Sequence, residues 1–168
     1  VIEVELGEAK KTSRIAEIIM RTIPYPILLI FKWEDKKKFY VARQRVSQSD
    51  SSKNTIEEFI STDWLDDASA LYARLDIRKM RFTNFFTLYS DIIDAISIYK
   101  VSDLVSDKVS ITGVEARLLS AQIEEIDRQI TSLRAKLKKE SQFNRKMELN
   151  IEIKRLEKER QRYFGEIS

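Results

Sequence analysis

The sequence predicts an α+β protein: a small mixed β-sheet with packed helices, followed by a C-terminal helical hairpin or coiled coil. Three observations predict it. The first half carries short strand-like runs: Val1-Ile2-Glu3-Val4-Glu5-Leu6 alternates apolar and acidic residues, and Ile27 to Phe31 is apolar throughout. The last third carries an apolar ladder, in which Leu119, Ile123, Ile126, Ile130, Leu133 and Leu137 follow at steps of four, three, four, three and four. Steps averaging about 3.5 residues keep one seam facing a partner helix. Hydrophobic residues make up 43% of the 168 and charged residues 34%, enough for a core and more charge than usual, as long solvated helices require. The chain divides on this reading into an α+β domain over residues 1–112 and a helical hairpin or coiled coil over 113–168.

Taken in order, the opening strand ends at Gly7, and from about Thr12 the period becomes helical, with Ile15, Ile18, Ile19 and Ile23 on one face. Pro24 stops that helix because a prolyl ring disfavours helical geometry in the residue before it. Ile27–Phe31 reads as a strand buried on both faces, Trp33–Lys38 as a polar turn, and Phe39–Val46 as the returning arm of a hairpin. Ser47–Thr55 is a polar loop, Phe59–Trp64 a short strand or extended segment, and Ala68–Leu75 a helix. Thr83 or Asn84 is suited to cap a helix whose apolar residues are Phe86, Tyr89, Ile93, Ile96 and Tyr99. Asp103–Thr112 is a polar connection, and Thr112 or Gly113 opens the C-terminal helices. The first residues already read as a strand and begin with Val1, so some residues are expected to precede them.

Composition removes several chemistries. The chain has no cysteine and no histidine. Disulfides, thiolate metal sites and thiol nucleophiles are excluded, in keeping with a reducing cytoplasm. So are the commonest general base and every Ser–His or Cys–His pair. With glycine only at positions 7, 113 and 165, neither a P-loop nor a dinucleotide fingerprint can be written. No cofactor is expected, and no apolar run reaches the roughly 18–20 residues of a membrane helix.

A second arm, Leu149, Ile153, Leu156, Arg160 and Tyr163, repeats the ladder's spacing after a break. Two arms folded back as a hairpin would cover each other's seams, which a lone amphipathic helix cannot do. The alternative is one continuous helix that pairs in trans. Either way, Leu119, Ile123, Ile126, Ile130, Leu133, Leu137, Leu149, Ile153 and Leu156 form an expected partner-binding seam. The break is also basic: Arg134, Lys136, Lys138, Lys139, Arg145 and Lys146 surround the single acid Glu140. Such a cluster could hold phosphates through counterion release without reading sequence. The plainer reading is a solvated charged surface.

Candidate catalytic residues are few. Glu3 and Glu5, two apart on a strand, point to one side, which faintly suggests a metal-dependent nuclease core. That core also needs an acid on a neighbouring strand and a lysine closing the triplet, so that carboxylates hold Mg²⁺ and the lysine steers water. Glu3-Val4-Glu5 has no such lysine. Asp63, Asp66 and Asp67 are better placed to charge a helix start. Trp33, Trp64, Tyr25 and Tyr40 read as core or rim aromatics, since no motif frames them as base-stacking platforms.

Two segments read together, Ile23-Pro24-Tyr25-Pro26-Ile27-Leu28-Leu29-Ile30-Phe31 and Lys139-Glu140-Ser141-Gln142-Phe143-Asn144-Arg145-Lys146-Met147-Glu148-Leu149-Asn150, with Phe82-Thr83-Asn84 leading to Leu88-Tyr89, resemble the uncharacterised bacterial family known as domain of unknown function 4391. The resemblance covers essentially the whole chain and carries over no catalytic residue. It implies an accessory subunit of a restriction-like or phage-defence DNA-processing system, with a helicase or DNA methyltransferase as partner. The expectation is therefore a non-catalytic interaction protein, working through a protein partner or a second copy of itself. The alternatives are a nucleic-acid-binding module that uses the basic tip, and a degenerate nuclease-like fold.

Overall fold

The computed structural model describes residues 1–46, 54–102 and 111–165. They form strands β1 (Ile2–Glu5), β2 (Leu29–Trp33), β3 (Lys36–Val46) and β4 (Asn54–Ser61), and helices α1 (Thr12–Thr22), α2 (Leu71–Arg74), α3 (Phe85–Ser102), α4 (Gly113–Lys139) and α5 (Phe143–Gly165). The architecture is α+β, with two compact units, Val1–Tyr99 and Lys100–Ser168.

The first unit is built on one four-stranded sheet of order β1-β2-β3-β4. β1 and β2 run parallel, with Ile2 opposite Leu29 and Glu5 opposite Lys32, while the other neighbours are antiparallel. A parallel pair needs a crossover connection, and α1 supplies it. The strand patterning places Ile2, Val4 and Leu6 on the α1 face with Leu29, Phe31, Tyr40 and Ala42. The opposite face packs Phe39, Val41 and Ile60 against Leu71, Ile93 and Ile96 of α2 and α3. The sheet is thus the middle of three layers, and the Leu29–Phe31 part of β2 is covered from both sides, as the apolar run Ile27–Phe31 predicts.

Several elements differ from the sequence reading. α1 buries Thr12, Ala16 and Met20, with Ile19 and Ile23 alongside, and leaves Ile15 and Ile18 exposed. The helix is rotated because Tyr40 donates a 2.8 Å hydrogen bond to Thr12 Oγ1 and the small Ala16 allows close approach to the sheet. The turn expected over Trp33–Lys38 shrinks to Glu34-Asp35, and the lysines join β3. Their stems lie across aromatic rings, with Lys37 over Tyr72 and Lys38 over Tyr40, both at 5.6 Å, so a charged side chain still covers apolar surface. β4 begins earlier than expected and ends at Ser61. The helix foreseen over Ala68–Leu75 is a single turn, placed by the fully buried Leu71. Most of the loop read over Ser47–Thr55 and of the connection over Asp103–Thr112 lies outside the described residues.

α3 starts as expected at Asn84, whose side-chain oxygen accepts from the Thr87 amide at 2.8 Å. Tyr89 ties this helix to the sheet: its hydroxyl donates to the Ile27 carbonyl at 2.9 Å and accepts from the Ala42 amide at 3.1 Å. Burial pushes the Tyr89 phenol above its ordinary pKa, so it remains a neutral donor.

Candidate functional site

The C-terminal hairpin is assembled from its caps inward. Thr112 and Glu115 form a reciprocal capping box at the start of α4, satisfying amides that a helix start leaves open. At the other end Glu140 turns extended, with φ −75° and ψ 139°. Its carboxylate accepts from the amides of Ser141 at 2.8 Å and Gln142 at 2.9 Å. Those backbone donors, with Arg145 and Lys146 nearby, hold the Glu140 carboxyl below its usual range. A glutamate therefore makes the break, with no glycine or proline, and serves at once as C-cap of α4 and as acceptor at the positive end of α5.

The two arms then close on each other. Ile126, Ile130, Leu133, Ile153 and Leu156 form one buried cluster, edged by Leu137, Leu149 and Tyr163. Leu119 and Ile123, further up α4, are buried as well. Ion pairs cross the hairpin from Arg134 to Glu157 at 2.6 Å and from Arg160 to Asp127 at 2.7 Å, fixing an antiparallel register. Of the two arrangements open to the ladder, the chain adopts the hairpin. This corrects the role expected of the seam. The apolar side chains that looked ready for a partner are covered within the same chain, because a three-residue break lets each arm serve as the other's partner.

The topology brings the basic residues to one end without making them equivalent. Arg134 is committed to Glu157, and Arg145 pairs with Glu148 at 3.2 Å. Lys136, Lys138 and Lys139 occupy the last turn of α4, where cations complement the helix dipole. Among the described residues these three lysines and Lys146 have no carboxylate within ion-pair distance.

Glu3 and Glu5 project from β1, at the edge of the sheet, on the face opposite α1. Glu3 is bonded by the Lys32 ammonium at 2.5 Å, and Lys37, opposite Lys32 in the register, pairs with Asp67 at 2.8 Å. The hydrogen bond from Lys37 holds the Asp67 carboxyl below its usual range and raises the Lys37 ammonium in return. Sequence reasoning missed Lys32 because it sought the lysine in the same strand. The parallel register supplies it from the next one. In the row Glu3, Lys32, Lys37 and Asp67 each acid is paired with a lysine and the charges cancel, and among the described residues no three metal-ligating side chains converge. Asp66 accepts from the Ala68 amide at 3.1 Å, so the acids of this segment order a turn. Trp33 and Trp64 lie against each other at 5.9 Å as rim aromatics.

What the molecule does present is exposed apolar surface. On α5, Phe143 is 73% exposed, Met147 49% and Ile151 65%. They stand four residues apart in one row, on the side of the helix away from Ile153 and Leu156. Open grooves of about 390 and 560 Å³ lie along the hairpin, the first bordered by Arg155, Lys158, Glu159, Arg162 and Tyr163, and both are shallow surface features. In the first unit, Phe82, Phe85 and Phe86 are 66–80% exposed at the start of α3. The neighbouring Arg78 and Arg81 are already paired with Asp76 and Asp91.

The hydrogen bond from Arg81 holds the Asp91 carboxyl below its usual range. A carboxyl depressed by folding contributes stability above its unfolded pKa and loses it as pH falls through the folded pKa. Asp91→Asn is therefore expected to flatten the acid limb of the stability curve below about pH 4, read from urea midpoints between neutral pH and pH 3. An unchanged acid limb would contradict the assignment.

Among the described residues no helix is long and apolar enough to cross a membrane. Comparison with curated proteins and with solved structures gives no match. A family model does match, over residues 1–159, and so covers both the sheet unit and nearly all of the hairpin. The chain belongs to the family described as Domain of unknown function (DUF4391).

Proposed function

We propose that this protein is a non-catalytic interaction protein, an accessory component of a bacterial DNA-processing system whose working part is the C-terminal hairpin. The observation that carries the reading is the row Phe143, Met147 and Ile151, exposed on a hairpin whose own core is already closed. Large apolar side chains contiguous on a surface are a feature of interaction sites. The seam gives the hairpin rigidity, and the outer face gives it something to hold. The self-neutralised charges around Glu3 fit this reading better than they fit catalysis. A helicase or methyltransferase subunit is the partner that the family resemblance suggests, with a second copy of the chain as the other occupant.

The test is size-exclusion chromatography with light scattering, on the chain alone and co-expressed with the products of adjacent genes. The expected result is a defined complex, either a homodimer or a stoichiometric co-purifying enzyme subunit. A strict monomer that ignores every neighbouring product would overturn the proposal.

A second reading, binding of nucleic acid by the hairpin tip, is favoured by one observation: Lys136, Lys138, Lys139 and Lys146 lack ion-pair partners among the described residues. On that reading, reversing Lys138, Lys139, Arg145 and Lys146 to glutamate abolishes DNA binding, and the parent's affinity falls steeply with salt. An absence of any shift by the parent in a low-salt binding assay would end it.

A further inference from the structure

The face of α5 that carries the apolar row has a second half. At about 100° per residue, Lys154 and Lys158 continue the line of Phe143, Met147 and Ile151 along the helix, with Arg155 and Arg162 beside them. All four cations are exposed, and none has an ion-pair partner among the described residues. The acids of α5 lie mostly off this face. Glu157 is held by Arg134 and Glu148 by Arg145, helical spacing turns Glu152 away from the row, and Glu159 stands at the border of the groove lined by Arg155, Lys158 and Arg162. One face of one helix is thus apolar for about 12 Å and then predominantly basic for about 12 Å, four cations against Glu159 at its edge, at a rise of about 1.5 Å per residue.

We propose, building on the interaction reading above, that this face receives an acidic amphipathic helix of a partner protein. The partner's apolar residues would lie against Phe143, Met147 and Ile151, and its carboxylates against Lys154, Lys158 and Arg162. The lengthwise segmentation selects this occupant. A bilayer surface is served by a helix whose apolar stripe is flanked by cations along its whole length, whereas here the cations stand in the stripe itself, where sinking the apolar row would carry them down with it. A nucleic-acid backbone would satisfy the cations but would set Phe143, Met147 and Ile151 against phosphates. A second copy of α5 would oppose cation to cation in a parallel pairing, and in an antiparallel one would lay the apolar row on lysines. Only a partner with apolar residues in one half and acids in the other matches both halves, and docking helix against helix through apolar anchors at i, i+4 and i+8 is a familiar mode.

The full isotope-labelled chain can be titrated with synthetic helical peptides that carry leucines at i, i+4 and i+8 and glutamates continuing the same face. Two versions, with the glutamates after or before the leucines, cover both docking directions. The expected result is amide shifts confined to residues 143–162 for one peptide, weakened by salt. At least tenfold loss of affinity is expected when lysines replace the peptide's glutamates, and in the exposed-site variants Met147→Glu/Ile151→Glu and Lys154→Glu/Lys158→Glu. The peptide reversal uses the parent chain, so it decides even where a variant folds badly. The proposal is overturned if neither peptide shifts these amides at millimolar concentration. It is equally overturned if duplex DNA or phosphatidylserine vesicles engage residues 143–162 and the peptides do not. A natural partner that still co-purifies with both charge variants would refute this face while leaving the interaction reading intact.

Discussion

Ile130→Ala is expected to destabilise the hairpin by about 2–5 kcal/mol, the range for truncating a buried isoleucine where the surroundings collapse only partly. Ile130 sits in the cluster formed with Ile126, Leu133, Ile153 and Leu156 and is 5% exposed. Urea unfolding followed by far-ultraviolet circular dichroism, with amide exchange over residues 113–165, would locate the loss. Two features make the result diagnostic. The loss should not depend on protein concentration, because the seam closes within one chain. Arms pairing between chains would make stability rise with concentration by mass action. In addition, Ile130→Ala and Ile153→Ala should be non-additive by about 0.5–3 kcal/mol, as expected for residues that share one cavity. A loss well under 1 kcal/mol, or one that fades at high concentration, would contradict the closed hairpin.

Phe31→Ala is expected to cost the sheet unit about 3–5 kcal/mol. Phe31 is fully buried at the centre of the sheet and meets the Tyr40 ring edge-on at 5.4 Å. Tyr40 in turn reaches Thr12, so this contact helps to fix α1 on the sheet. Tyr40→Phe is the graded control. It keeps the ring and removes the hydrogen bond, for which about 0.5–1.5 kcal/mol is expected. The checks are the denaturant midpoint and near-ultraviolet circular dichroism, which reports aromatic packing. A Phe31→Ala protein with unchanged midpoint would mean that the sheet is not the core of this unit.

Much of this architecture is legible in the sequence because it depends on local periodicity. β1 alternates, the run Ile27–Phe31 that enters β2 is apolar, Pro24 ends α1, and Asn84 and Thr112 cap their helices as their side chains allow. Errors arose where a distant residue decided. On α1 the isoleucines outweigh Thr12 and Ala16 in any hydrophobic pattern, yet the hydroxyl of Tyr40 and the need for close approach select those two. The lysines at the start of β3 suggest a solvated turn by their charge, whereas the stems of Lys37 and Lys38 lie over the rings of Tyr72 and Tyr40. Leu71 anchors a single turn where the pattern suggested a full helix.

The candidate site divides the same way. The apolar seam is legible as a stripe, but the order of its residues cannot say whether the covering helix belongs to the same chain. Phe143, Met147 and Ile151 fall outside the heptad phase, and only the folded hairpin reveals which face of α5 is left over. Likewise the lysine that engages Glu3 comes from β2, through a register that no local pattern encodes.

By itself the sequence determined the class of the fold, the absence of thiol and imidazole chemistry, and the presence of two arms that must be covered. Those properties follow from residue type and spacing. The tertiary structure alone decided that the arms cover each other, that the acids of β1 are neutralised from the neighbouring strand, and that an apolar and basic face remains on the outside of α5. Each of these depends on which distant residues meet, and that is settled by the packing of the whole chain.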